Sequence, residues 1–208
     1  MSYQVLIADD FRMSRTVFEQ AIAMSHSFTL AASVDSAEKA LKYLECNPAD
    51  LVIMDIVMTE GKSGLNIAAE IKKNHPTVKI LMVTSMPEVS FMERARAIGV
   101  ESFWYKEVQE QPILEIMERT MRGESLYPDS APVVVVGNAV STEFTDREIA
   151  VLRAMTAGLS NQEIGEELGI GERTVKMHIS NMLQKTGFRT RLELAVRART
   201  GGLVIPDV

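Results

Sequence analysis

Five residues in the first half of the chain could do chemistry together: Asp9, Asp10, Asp55, Thr84 and Lys106. Each directly follows or closes a short apolar run. Asp55 ends the run Leu51-Val52-Ile53-Met54 and is the candidate nucleophile, because a carboxylate can attack a phosphoryl group and form an acyl phosphate. Asp9 and Asp10 are adjacent. Three carboxylates gathered at one rim repel one another, and a divalent cation relieves that repulsion. Hard oxygen ligands with open positions for water or phosphate favour Mg2+. The ion, the Lys106 ammonium and the Thr84 hydroxyl would neutralise and orient phosphoryl oxygens in the transition state.

The elements that must position these groups can be read from periodicity. Tyr3–Ala8, Phe28–Val34, Leu51–Met54, Val78–Val83 and Ser102–Tyr105 are short, near-continuously apolar runs. Such runs suit parallel strands covered on both faces. Between them lie helical patterns: residues 12–24, a helix capped by Ser36 and running to Cys46, one from Gly64, one from Pro87 to Ile98, and one over 111–121. The alternation predicts an α/β doubly wound, five-stranded parallel sheet with helices on both faces, flavodoxin-like. Ligands of such sheets gather at the carboxyl ends of the strands, near the point where strand order reverses. All five polar residues fall at such ends.

Residues 123–143 contain Gly123, Pro128, Pro132 and Gly137 and read as a linker, with Val133–Val136 a short strand or docked segment within it. From Thr145 the pattern is helical. Thr145 with Glu148, and Ser160 with Glu163, have capping-box spacing. Helices are expected after each, then from Glu172 to Lys185 and from Arg191 to Thr200. The expected organisation is a domain over 1–122, a linker over 123–143 and an all-α four-helix domain over 144–208.

Charge separates the halves. The chain has a formal net charge of −6, and residues 1–125 carry 13 Lys and Arg against 18 Asp and Glu. Residues 173–199 carry seven Lys and Arg against Glu193 alone. One basic segment in an acidic chain points to an anionic partner for that segment, with a solvated helix face as the plain alternative. The single cysteine, Cys46, allows no internal disulfide, which suits a reducing cytoplasm. No signal segment is evident, and the longest apolar stretch is too short for a bilayer, so no membrane partner is expected.

Residues 1–122 resemble the receiver domain of bacterial two-component response regulators. The resemblance rests on Val5-Leu6-Ile7-Ala8-Asp9-Asp10, Leu51-Val52-Ile53-Met54-Asp55-Ile56-Val57-Met58, Val83-Thr84-Ser85 and Phe103-Trp104-Tyr105-Lys106. It implies that Asp9, Asp10, Asp55 and the carbonyl of Val57 hold Mg2+, and that Asp55 takes phosphate from the phosphohistidine of a sensor histidine kinase. It further implies that Thr84 turns toward the phosphoryl group, that the aromatic Phe103 swings inward, and that Lys106 pairs with the phosphate. The chain departs from the family pattern in the loop after Asp55: Thr59 stands where Pro is usual, and Gly64 lies one residue later than usual. Ser102 stands where Gly is common, and Trp104 is unusually bulky.

Residues 145–199 resemble the LuxR-type helix-turn-helix, the output module of the NarL/FixJ group of response regulators. The matching stretches are Thr145-Asp146-Arg147-Glu148, Ala157 through Ile164, Thr174 through Asn181, and Leu183 through Gly187. A short capped helix, a turn and a second, basic helix can set that helix in a major groove. Val175, Ile179, Met182 and Leu183 should face the core. Lys176, Met177 and Ser180 then point outward, where family members contact base edges. Arg173, Thr174, His178, Asn181 and Lys185 are expected at phosphates or the groove rim, with packing or capping an alternative for His178. The resemblance implies a homodimer on an inverted repeat, with Leu192, Leu194, Ala195 and Ala198 of the last helix as candidate dimer contacts, some of which must instead pack internally.

Together these imply a cytoplasmic, DNA-binding transcriptional response regulator, not a turnover enzyme beyond slow loss of its own phosphate. Two alternatives stand beside it. One is a DNA-binding regulator with a vestigial receiver. The other is a phosphatase with an Asp nucleophile, disfavoured because position 57, where its second carboxylate would lie, is Val57.

Overall fold

A computed structural model describes residues 2–58, 63–88, 90–106 and 112–204. Residues 86–89 aside, the chain forms two compact units, one ending at Ser130 and the other beginning at Ala131. The described helices include none long and apolar enough to cross a membrane.

The first unit alternates strictly: β1 (Tyr3–Ala8), α1 (Arg12–Ala23), β2 (Phe28–Val34), α2 (Ala37–Cys46), β3 (Leu51–Asp55), α3 (Gly64–Asn74), β4 (Lys79–Thr84), α4 (Ser90–Ile98), β5 (Ser102–Tyr105) and α5 (Ile113–Met121). All strands are parallel, in the order β2-β1-β3-β4-β5. The order reverses between β1 and β3, whose registers pair Val5 with Leu51 and Ala8 with Met54. The ends of these two strands carry Asp9, Asp10 and Asp55.

Side chains alternate between the two faces of the sheet. Val5, Ile7, Leu51, Ile53, Leu81, Val83 and Trp104 face Phe18 and Ile22 of α1 and Ile116 and Met117 of α5. Leu6, Ala8, Val52, Met54, Ile80 and Met82 point the other way and are equally buried. The continuous apolar runs therefore follow from burial on both faces. Ser36 and Ser63 accept bonds from the Lys39 and Asn66 amides and so start α2 and α3. Gly64 has a steric role: a Cβ there would lie 1.8 Å from the Asp55 carbonyl oxygen. Only glycine lets the first turn of α3 approach the backbone of Asp55 this closely.

The second unit holds a hairpin, β6 (Val135–Val136) and β7 (Ala139–Val140), then a 3-10 turn over Ser141–Glu143 and four helices: α6 (Asp146–Thr156), α7 (Asn161–Leu168), α8 (Glu172–Thr186) and α9 (Arg191–Thr200). Both capping boxes form. Gly169, with φ of 64°, ends α7 in the left-handed conformation that opens the turn into α8. The core gathers Ile149, Leu152, Met155, Ile164, Val175, Ile179, Met182 and Leu194.

The stretch read as a linker is largely ordered into the two units. Val136 and Ala139 are buried in the core of the second. Further upstream, Leu126 bridges in parallel to Ser102 at the edge of β5. The turn residues of 123–143 are real, but its apolar residues find cores to join.

Candidate functional site

The five polar residues singled out above come from five different positions at one end of the sheet. Asp9 and Asp10 follow β1, Asp55 is the last residue of β3, Thr84 the last of β4, and Lys106 follows β5. Carboxylate oxygens of Asp9, Asp10 and Asp55 lie within 4.8 Å of one another. Asp9 and Thr84 are fully buried and Asp55 nearly so.

Lys106 ties the carboxylates together. Its Nζ lies 2.7 Å from Asp9 Oδ2 and 2.6 Å from Asp55 Oδ2. The other oxygens are aimed by the backbone: the Phe11 amide donates to Asp9 Oδ1 at 2.9 Å and the Val57 amide to Asp55 Oδ1 at 3.3 Å. Arg15, one turn into α1, donates to the carbonyls of Asp9 at 2.6 Å and Asp10 at 3.2 Å, which fixes the loop bearing both acids. The Lys106 amide donates to the Thr84 carbonyl at 2.9 Å, so the ends of β4 and β5 move as one.

Burial pushes the Asp55 carboxyl up from 3.8 to about 6; Lys106 pulls the other way, and the Asp9 charge adds to the rise. Burial also opposes the Lys106 charge, but the two carboxylates outweigh it and hold the ammonium above its ordinary value. An ionised Asp55 is thus held at a cost. Additional positive charge at the site would lower that cost. The donor set of three hard carboxylate oxygens suits Mg2+ rather than a soft metal. Thr59, the residue in place of the usual Pro, lies outside the described residues.

Phe103 is buried on β5, its ring 5.1 Å from Tyr105 in a T-shaped arrangement and 6.0 Å from Tyr127 in a stacked one. Sequence reasoning missed Tyr127, Arg15 and the close approach of Gly64. The Arg15 carbonyl bonds depend on a loop geometry that spacing does not reveal. Tyr127 sits among turn residues, where no periodicity marks a packed aromatic.

In the second unit, α8 buries Val175, Ile179 and Met182, with Leu183 partly buried against the same core. Arg173, Lys176, Met177, Ser180 and Asn181 are exposed, whereas Thr174 and His178 are half-buried. Lys176 pairs with Glu172 one turn earlier, at 2.7 Å. Lys185 does not project with this group. Its Nζ lies 2.6 Å from Glu148 Oε2 and 2.7 Å from the Glu143 carbonyl, clamping α8 to α6. The pairing satisfies a carboxylate that is nearly fully buried. In α9, Leu194 and Ala198 are fully buried in the core, which removes them as dimer contacts. Leu192 is exposed, and so is Val196 one turn on.

A family model for the response regulator receiver domain matches residues 5–118, and one for bacterial regulatory proteins of the luxR family matches residues 142–198. The chain is 31% identical to the response regulator protein VraR of Staphylococcus aureus (strain Mu3) over 211 residues, covering 98% of this chain and all of that one. VraR of strain COL is 30% identical over the same length. Among solved structures, RcsB from Salmonella enterica serovar Typhimurium, bound to a promoter with a beryllofluoride phosphate mimic, covers 97% of this chain and 99% of its own. Its TM-score is 0.65 at 16% identity, a likeness of fold. A structure of two RcsB dimers bound to two parallel DNAs matches at a TM-score of 0.64 and 16% identity, over 96% of this chain and 99% of that one. On both family models and a relative matched end to end, the chain is a response regulator that joins a receiver domain to a LuxR-type domain.

Proposed function

We propose that this response regulator takes a phosphoryl group on Asp55 from a sensor histidine kinase, and that the phosphorylated form dimerises and binds promoter DNA. The observation that carries the reading is the carboxylate triad of Asp9, Asp10 and Asp55 with Lys106 bridging two of its members. Asp55 Oδ attacks phosphorus, and the P–N bond to the donor imidazole breaks with its electron pair left on nitrogen. An acyl phosphate results. When bound by the three carboxylates and the Val57 carbonyl, Mg2+ supplies positive charge to the phosphoryl oxygens. Lys106 exchanges carboxylate partners for phosphoryl oxygens, and the Thr84 hydroxyl donates to another. Phe103 follows Thr84 inward. Hydrolysis of the acyl phosphate is slow and sets the lifetime of the signal.

The exposed face of α8 suits a major groove. Lys176 donates to guanine, Met177 packs on a thymine methyl and Ser180 completes the base-reading set. Arg173, Thr174, His178 and Asn181 hold phosphates. Lys185, already paired to Glu148, acts inside the domain instead. Leu192 and Val196 supply the apolar dimer contact, and a two-fold dimer favours an inverted repeat. The protein works in the cytoplasm, where its kinase donor and DNA are both accessible.

The test is labelling by acetyl phosphate. Wild type should gain a Mg2+-dependent aspartyl phosphate and Asp55→Asn should gain none; undiminished labelling in the variant would refute the assignment. Selection of DNA sites with and without phosphorylation then reads the target sequence, its symmetry and the switch together.

A further inference from the structure

The segment just after α5 makes a parallel bridge, Leu126 to Ser102, on the open edge of β5. The Phe103 amide donates to the Leu126 carbonyl at 2.8 Å, and the Leu126 amide returns a bond to the Glu101 carbonyl at 3.3 Å. The Ser125 hydroxyl donates to the same Glu101 carbonyl at 2.9 Å. Tyr127 completes the attachment. Its ring stacks on Phe103 at 6.0 Å and 27°, the Arg96 guanidinium of α4 lies over it at 4.4 Å, and its hydroxyl donates to the Val100 carbonyl at 2.8 Å. Burial pushes that hydroxyl up to about 12, so it stays a donor throughout the working range.

β5 is only four residues long. Lys106, next along the chain, grips Asp55, while Phe103 grips Leu126 and Tyr127. A short, hydrogen-bonded strand cannot stretch between these two anchors. A change in what Lys106 binds must therefore be absorbed by β5 or passed to the segment on its edge. The first unit ends at Ser130, three residues beyond Tyr127.

We propose that Ser125–Tyr127 is a latch, with Tyr127 as a positioning residue that holds Phe103 against the edge segment, and that phosphorylation of Asp55 releases this segment and so frees the start of the linker. The inference rests on the phosphoacceptor role of Asp55. Because coupling between two sites is reciprocal, loosening the latch must favour the phosphorylated arrangement in turn. An aromatic stack of this kind supports a coupling of about three- to tenfold in affinity.

The experiment uses the full chain and beryllofluoride with Mg2+ as the phosphate mimic. Amide hydrogen exchange is followed at Phe103 and Leu126, with Ile53 of β3 as an internal reference. On mimic binding, exchange at Phe103 and Leu126 should accelerate while Ile53 stays protected. Tyr127→Ala should bind the mimic about three- to tenfold more tightly than wild type. Tyr127→Phe, which keeps the stack and loses only the Val100 bond, should fall between. Binding with unchanged or greater protection at Phe103 and Leu126 overturns the latch, as does unchanged or weaker affinity in both variants. Failure of the wild type to bind the mimic overturns the phosphoacceptor reading beneath it, a result recognisable in the titration alone.

Discussion

Replacing Asp55 by Asn should make the metal-free receiver more stable while abolishing its chemistry. Burial raises the Asp55 carboxyl from 3.8 to about 6 even with Lys106 at 2.6 Å. The folded form therefore binds the proton more tightly than the unfolded form. Stability attached to the protonated group is present below the unfolded value and is lost as pH rises through about 6. A shift of about two units costs the ionised fold about 3 kcal/mol above that pH. Asparagine carries no charge to bury, and Lys106 keeps Asp9 as a partner, so the variant recovers most of this amount. Trp104 is the single tryptophan and packs on Phe18 in the receiver core, so its fluorescence reports this unit selectively. Urea unfolding in EDTA at pH 8 should show Asp55→Asn more stable by about 3 kcal/mol, a midpoint shift of about 1–2 M. At pH 5 the gap should shrink to about half, because the wild type then carries its proton in most folded molecules. Saturating Mg2+ should narrow the gap at pH 8 by stabilising the wild type. A variant less stable than wild type at pH 8 in EDTA would mean that the Lys106 pair outweighs burial. A gap that persists unchanged at pH 5 would mean that ionisation is not its origin.

Three further outcomes follow from contacts. Gly64→Ala forces the start of α3 away from the Asp55 carbonyl; it should cost about 1–3 kcal/mol by the same urea assay and slow acetyl-phosphate labelling, and wild-type labelling would deny Gly64 its role in setting the nucleophile. In DNA binding, Lys176→Ala should lose about 1–3 kcal/mol of discrimination for the selected site. Lys185→Ala should leave the salt dependence unchanged but destabilise the second unit by about 1–3 kcal/mol, because buried Glu148 loses its partner; a salt slope shallower by about one would return Lys185 to the phosphate contacts.

What the sequence reveals and what it hides divide along physical lines. Asp9, Asp10, Asp55, Thr84 and Lys106 were legible because each ends a continuous apolar run, and strand direction carries all such ends to one rim. Both capping boxes in the second unit were legible because a hydroxyl and a Glu three residues on need only the local helix to meet. Contacts made across the sheet were not. The stacking of Tyr127 on Phe103 joins residues 24 apart through an edge pairing with no pattern of its own. In α9 the sequence leaves open which of Leu192, Leu194, Ala195 and Ala198 pack internally; the core claims Leu194 and Ala198, while Val196 stays exposed. A four-helix unit of this size has few interior positions, and which face of a terminal helix fills them depends on packing that the helix alone does not encode. Lys185 illustrates the same limit for charge. Its position in a basic segment suggests DNA, and that position does not reveal its pairing with a buried carboxylate on α6.

The arrangement around Lys106 explains how a small chemical change can act at a distance. One ammonium serves two buried carboxylates, and the pair it makes with Asp55 still leaves that carboxyl raised. The site is therefore under-neutralised, and any added cation is drawn in strongly. On the proposed function, phosphorylation would replace the single charge of Asp55 with a group that carries more negative charge and reaches further from the strand end. Lys106 would follow it; its amide is bonded to the Thr84 carbonyl, so the ends of β4 and β5 would be pulled together with it. An exposed lysine on a flexible loop would dissipate such a change in side-chain motion. Here the lysine follows directly on an edge strand whose other end holds the segment leading to the second unit, so a charge change of atomic size has a rigid element to act on.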